Sequence, residues 1–326
     1  MTVTTDQTLP DPTPPARTLR DGLLLVDKDE GPTSHDVVAA ARRILRQKKI
    51  GHCGTLDPTA TGLLPLTVGR ATRLTRFLIR APKVYEGSAR FGIATDTYDL
   101  AGEVTERKPV EGVDDEAIRA AMESFHGQYL QTPPPYCAKK VGGVKYYELA
   151  RRGEAVPDHK KEVTVFDFHA TGKWQGAGAE GEADLPFLLS CASGTYARSL
   201  IHELGRILGC GAVLSGLRRT RVGPFSVADA ITTEVLRERL EAGESPGSAW
   251  LPFDEIPLPF AEIVADVQQE RRIKNGQTVL VRSLDGREGD WIKVVDQRRK
   301  FIAVGSVVER IGDSGAGVVQ PKVVFQ

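Results

Sequence analysis

Cysteine is scarce and scattered in this 326-residue chain: Cys53, Cys137, Cys191 and Cys210 stand alone, with no CxxC pair and no cluster among the six histidines. That spacing excludes a disulfide framework, argues against a zinc site, and fits a reducing compartment. The longest nearly apolar runs, 23–26 and 186–192, stop far short of the ~20 residues that a membrane-spanning helix needs. No GxxxxGK[ST] run is present to cradle nucleotide phosphates. Net charge is missing too, since 43 basic residues balance 43 acidic ones. The first 20 residues carry prolines at 10, 12, 14 and 15 and no apolar core. They are neither a secretory signal nor a transit peptide, and they read as a disordered tail. A cytoplasmic, soluble protein is the expectation.

What is present is an ordinary globular composition, 40% apolar and 26% charged, long enough for two domains. The charge is balanced in sum but not in distribution. Residues 31–100 hold 11 basic against 5 acidic residues, 191–225 hold 5 against 1, and 101–131 between them hold 3 against 7. Two basic blocks of this kind are either solvated helix faces or a surface for phosphates.

The run Gly22–Lys28 reads as a short buried strand, closed by the turn Asp29-Glu30-Gly31-Pro32. Ser34 then stands where an N-cap belongs, with Val37, Val38, Ala41, Ile44 and Leu45 at helical spacing behind it. Residues 84–91 alternate as a half-buried strand, 163–168 and 187–191 read as strands, and 114–125 and 146–152 read as helices. Gly194 opens a further helix whose apolar positions are Tyr196, Leu200, Ile201, Leu204, Ile207 and Leu208. Strands and helices alternate without βαβ regularity, so the large domain is expected to be α+β, spanning 21–251. The Pro-rich segment 251–259 marks a boundary, and the short apolar segments beyond it suggest a small β-barrel at 252–326.

Three chemical signals fail on context. Gly176, Gly178 and Gly181 match GxGxxG with no strand-to-helix crossover around them, and a hairpin tip explains them better. His202-Glu203 begins like a zinc-protease helix, but Arg206 occupies the second histidine's place. Ser34-His35-Asp36 are neighbours and cannot form a triad among themselves.

The stretch GHCGTLDPTATGLLP (51–65) is different, because it is too irregular for a helix and too apolar for a linker. Pro58 pushes Asp57 out of the helical region, so its carboxylate either caps a turn or is presented from a rigid loop. Arg198, early in its helix, is either a surface arginine or the partner that keeps a carboxylate ionised. Tyr85 is either a core tyrosine or a platform for a nucleobase, and His52 either a structural histidine or a ring that stacks on unpaired bases.

Taken in order, GLLLVDK with GPTS, then GHCGTLDPTATGLLPL, then Lys83-Val84-Tyr85, then SGTYARSLIHELG, resemble the TruB family of tRNA pseudouridine synthases, which modify uridine 55 of the T loop. The resemblance is collinear from about residue 20 onward. It implies a pseudouridine-synthase fold with a mixed, mainly antiparallel central sheet flanked by helices, followed by a PUA-like RNA-binding domain. It implies Asp57 as the essential catalytic residue, Arg198 as its partner, and Tyr85 stacking on the target base. His52 would support the opened T loop, Leu217 would pack against the base, and Lys28 would brace the catalytic loop. Tyr196, inside the GTYAR motif, joins the substrate-binding set. No cofactor or metal is implied, because the isomerisation consumes nothing. The partner would be the tRNA T stem-loop, with no membrane, no obligate protein partner and a monomer as the working form. A guide-RNA-dependent synthase and a non-catalytic tRNA-binding or folding protein are the competing readings. The tail and the insert at 172–184 lie outside the family pattern.

Overall fold

The computed structural model describes residues 19–137, 140–141, 144–146, 160–176, 183–312 and 315–325. The chain opens with β1 (Gly22–Lys28), α1 (Ser34–Ile44), β2 (Ile50–His52), β3 (Thr61–Val68), α2 (Thr75–Leu78) and β4 (Lys83–Phe91). A two-stranded excursion, β5 (Ile93–Thr95) with β6 (Val104–Arg107), leads to α3 (Asp115–Glu123) and β7 (Gly127–Gln131). The small pair β8 (Lys140–Val141) and β9 (Val144–Lys145) precedes β10 (Lys161–Ala170), β11 (Ala183–Cys191), α4 (Ala197–Ile207), β12 (Ala212–Val222) and β13 (Phe225–Ser226). Then come α5 (Thr233–Glu241) and β14 (Trp250–Pro252).

Ten of these strands form one sheet, in the order β14-β1-β3-β12-β4-β11-β10-β7, with β2 on β3 and β13 on β12. Every pairing is antiparallel except β3 with β12. The mixed, mainly antiparallel sheet and the α+β class are as expected. Ser34 is a correction: Thr33 is the N-cap, in a capping box with Asp36. Ser34 sits one position later and is freed to clamp a loop, as described below. The helix expected at 114–125 is α3, capped by Asp114. The one expected at 146–152 lies outside the described residues except for Tyr146, as do 177–182 of the insert and 1–18 of the tail. Leu19, just beyond those, is buried.

The unbroken apolar run of β1 has a simple cause, which is burial on both faces. Leu24 and Val26 point into a core covered by α1, α3, α4 and α5, while Leu23 and Leu25 point into a second core. That second core is shared with the C-terminal module. There β15 (Ala261–Val264), α6 (Val267–Lys274), β16 (Val279–Val281), β17 (Trp291–Val295), β18 (Phe301–Ile311) and β19 (Ala316–Val324) form a curled five-stranded sheet, β15-β17-β18-β19-β16. Its edge strands β15 and β16 do not pair with each other, so the expected small barrel is a half-barrel, in keeping with a PUA-like module. Phe253, Phe301, Val323 and Phe325 from this part pack with Leu23, Leu25, Phe77 and Phe225 from the large one.

The basic block at 70–76 lies at this junction and is in part committed to it. Arg70 stacks over Phe253, Arg73 over Phe325 and Arg76 over Trp291, with centroid distances of 4.9, 5.2 and 5.3 Å. Arg73 Nη1 also donates to the Val324 carbonyl. Phe325 is 3% exposed, so Phe325→Ala should cost about 3–5 kcal/mol. Because the core is shared, we expect calorimetry to show one unfolding transition, displaced as a whole to lower temperature by the substitution. Two separate transitions would contradict the shared core.

Candidate functional site

The segment between β2 and β3 has no regular ladder of its own, and three side chains brace it from below. Ser34 Oγ donates to the Leu56 carbonyl at 3.0 Å and accepts from the Leu56 amide at 2.9 Å. Lys28, 1% exposed, donates to the carbonyls of Asp29, Pro58 and Ala60 at 2.9, 3.2 and 2.7 Å. Arg219, also 1% exposed, donates from Nε to Leu63 O at 2.7 Å, from Nη2 to Gly54 O at 3.0 Å and from Nη1 to Thr55 O at 3.4 Å. Backbone carbonyls left bare by an irregular loop need donors when buried, and two long cations supply several each. Gly62 closes the loop at φ +99°, where a Cβ would lie 2.3 Å from the Arg219 carbonyl oxygen, so only glycine fits.

Asp57 is thereby held at the mouth of a cleft of about 590 Å³, whose walls include Leu217, Glu86, Ser88 and Arg218. Its Oδ2 meets Arg198 Nε at 3.0 Å, and the two side chains are oppositely disposed: Asp57 is 44% exposed and Arg198 8%. Tyr196 caps the start of α4 and puts Arg198 in its first turn. Nη1 of Arg198 reaches the Asp99 carboxylate at 3.4 Å and Thr97 O at 3.0 Å, and Nη2 donates to Tyr136 O at 3.0 Å. The guanidinium is therefore fixed by Asp99, which also lines the cleft, and by two carbonyls, and it offers Nε to Asp57. An open carboxylate against a buried guanidinium is an arrangement suited to a nucleophile or a base.

The other expected residues divide between the cleft and its supports. Leu217 lines the cleft. Tyr85 is 9% exposed and lies under the loop, with its hydroxyl against Arg219, and burial raises its pKa. His52 ends β2 outside the cleft wall, its ring edge-on to His35 at 5.5 Å, with Nδ1 buried and unpartnered. Burial lowers its pKa, which keeps the ring neutral. The Tyr196 main chain exchanges two hydrogen bonds with the Gln131 side chain, and burial raises the pKa of its phenol.

Three participants were not anticipated. Asp99 shares Arg198, and no spacing in the chain links 99 to 198. Arg219 braces the loop, and Arg218 forms a bidentate pair with Asp27 at 3.1 and 2.7 Å on the cleft rim. The signal for Arg219 was legible: two successive arginines in a strand point to opposite faces, and one face of β12 is core.

Lys83 is a further buried cation, close to Arg219 and Gly54. Its ammonium is buried, donates to Ile79 O and Ala81 O at 2.6 and 2.7 Å, and is lowered to about 8 by burial and by Arg219. A base whose folded value lies below its ordinary 10.5 destabilises the fold while charged, and that cost fades as pH rises from about 8 to about 10.5. We expect the stability of the native chain relative to Lys83→Met to climb across that window, by at most about 3 kcal/mol at 1.36 kcal/mol per pH unit. A flat difference in urea titrations between pH 7.5 and 10.5 would contradict it.

Residues 42–197 match the model of the TruB family pseudouridylate synthase N-terminal domain, and 198–256 that of the tRNA pseudouridylate synthase B C-terminal domain. The chain is 41% identical over 290 residues to tRNA pseudouridine synthase B of Solibacter usitatus, covering 88% of this chain and 96% of that one. It is 38% identical over 307 residues to the protein of that name in Geobacter sulfurreducens, covering 91% and 95%. Among solved structures, a crystal structure of a Cbf5–Nop10–Gar1 complex matches with a TM-score of 0.73 at 26% identity, covering 98% of this chain and 91% of that one. With its loop carboxylate, buried arginine and mixed sheet accounted for, this chain belongs to the TruB family of pseudouridylate synthases.

Proposed function

We propose that this enzyme isomerises uridine to pseudouridine in tRNA, at position 55 of the T loop, in the cytoplasm, as a monomer that needs no cofactor and no protein partner. The observation that carries the reading is the exposed Asp57 carboxylate held at 3.0 Å by the buried Arg198. The relatives named tRNA pseudouridine synthase B, similar over nearly their whole length, support tRNA as the substrate.

The reaction breaks the N1–C1′ glycosidic bond and forms a C5–C1′ bond, while the C5 proton is lost and N1 gains one. Atoms and electrons balance within the nucleotide, so the protein has only to expose, hold and turn the base. A T-loop base is stacked and must leave its stack, at a cost of a few kcal/mol. The opening beside Asp57 and Leu217 would receive it, with Tyr85 and His52 as aromatic supports; a stacked base is worth ~1–3 kcal/mol. Exposed Arg42, Arg43, Arg46, Lys48 and Lys49 near the end of α1 are available for backbone phosphates. Asp57 acts as one essential carboxylate, covalently or as a general base, and Arg198 keeps it ionised as the pocket dries.

The test is release of tritium from tRNA labelled at uracil C5, with the purified chain alone. About one equivalent per tRNA, with pseudouridine mapped to position 55, is the expected result. Release that requires added guide RNA and partner proteins would replace the stand-alone reading with the guide-dependent one, and tight binding without release would leave only the binding one.

A further inference from the structure

The turn that holds Arg198 contains a backbone oddity. Tyr98 has φ +65°, a left-handed conformation that side-chain-bearing residues rarely adopt. The other two such residues in the described chain, Arg46 and Arg299, are exposed and do not line the cleft. Tyr98 stands between the two groups that converge on a single atom: Thr97 O and the Asp99 carboxylate both meet Arg198 Nη1. A left-handed residue in the middle is what lets a carbonyl and the next residue but one face the same nitrogen.

The side chain of Tyr98 is engaged in a ring stack. Its phenol lies on the His202 imidazole with centroids 3.8 Å apart and planes 10° from parallel. His202 follows Arg198 by four residues on α4, so the two project from one face of the helix and grip consecutive residues of the same turn. Other ties of the turn include the Leu214 amide to Tyr98 O at 3.0 Å, the Tyr98 amide to Thr95 O at 3.4 Å, Thr95 Oγ1 to Asp99 O at 2.7 Å, Thr97 Oγ1 to Asp99 Oδ1 at 2.6 Å and the Ala101 amide to Asp99 Oδ1 at 3.1 Å. His202 Nδ1 is buried with no hydrogen-bond partner, a cost that an aliphatic side chain of similar size would avoid. Burial and the neighbouring Arg206 lower its pKa, so the ring that stacks is the neutral one.

We propose that the Tyr98–His202 stack is a positioning device for the reaction: it locks the 97–99 turn, which orients Arg198 and through it Asp57. This rests on the reading of Asp57 as the reacting carboxylate. Neither ring touches the reacting atoms, so the pair acts on the chemical step and not on RNA docking.

The experiment compares His202→Ala, His202→Phe, Tyr98→Ala and Tyr98→Gly with the wild type, by steady-state tritium release and by the Arg198 Nε–H resonance in a nitrogen–proton spectrum. His202→Ala should lower kcat about tenfold or more while KM for tRNA stays within about twofold. His202→Phe, which keeps a flat ring, should stay within about threefold of wild type. Tyr98→Ala, which keeps the strain without the ring, should be worse than Tyr98→Gly, which adopts positive φ freely. Arg198→Ala with His202→Ala should be no slower than Arg198→Ala alone, since the stack acts through that residue. Equal loss in His202→Ala and His202→Phe, wild-type kcat in His202→Ala, or a loss confined to KM would each overturn the proposal. A wild type that turned over no tRNA would instead overturn the functional reading. The Arg198 signal, expected sharp in wild type and His202→Phe and shifted or broadened in His202→Ala, would then decide the stack by itself, and an unchanged signal would refute it.

Discussion

Asp57→Asn should abolish turnover while leaving the fold and RNA binding intact. The substitution keeps the size of the side chain and an oxygen for Arg198 Nε, and removes only the charge and the nucleophilic or basic oxygen. The guanidinium is not orphaned, because Asp99 and two carbonyls still hold it. That second carboxylate is why the change should be tolerated: a buried cation stripped of its only partner would be strongly destabilising. We expect the rate of tritium release to fall on the order of 10⁴-fold or more. The melting temperature should move by no more than about 2 °C, since Asp57 is largely solvent-facing. The Kd for tRNA should be unchanged or slightly tighter, because one negative charge near the phosphates has gone. Turnover within about tenfold of wild type would remove Asp57 from the chemistry.

The second large effect is on stability. Arg219→Ala should destabilise the protein by about 4–5 kcal/mol, a large part of the 5–15 kcal/mol that holds a domain folded. The guanidinium donates to two carbonyls of the loop between β2 and β3, Gly54 and Thr55, and to that of Leu63 in β3, and each left without a donor costs about 1–3 kcal/mol. The losses are not additive, since water can enter where the side chain was. The expected drop in melting temperature is about 10 °C or more. Arg219→Lys should recover only part of it, because one ammonium cannot reach carbonyls spread from Gly54 to Leu63. The loop presents Asp57, so activity should fall with stability even though Arg219 lies outside the cleft lining. A variant that melts within about 2 °C of wild type would mean that these hydrogen bonds are not what orders the loop.

Much of the architecture was legible where local pattern and burial agree. The double-faced burial of β1 is written in its consecutive leucines, and the amphipathic spacing of α1 and α4 survives except at Ile207, which is 49% exposed. Boundaries were less secure for a local reason. Thr33 and Ser34 are both good caps, and what chose Thr33 was the reciprocal bond to Asp36. The arginines at 70, 73 and 76 belong to a basic block that reads in sequence as either solvated helix faces or a surface for phosphates. Its arginines stack instead on aromatic rings more than 170 residues away in sequence, beyond any window of periodicity.

The site divides in the same way. Sequence alone marked the candidate residues and the family, because Asp57 before a proline, Arg198 early in a helix and the collinear motifs around them are local facts. It also determined that the chain has a large α+β part and a small β part. Only the tertiary structure decided how the charges are shared. The resemblance implied Arg198 as the partner of Asp57, but the 3.0 Å contact itself, the second claim of Asp99 on the same guanidinium, the burial of Arg219 and the stacking of Tyr98 on His202 all join residues from separate strands, loops and helices. Such contacts depend on where the sheet brings its ends together, and a one-dimensional pattern records which faces are buried but not what they meet.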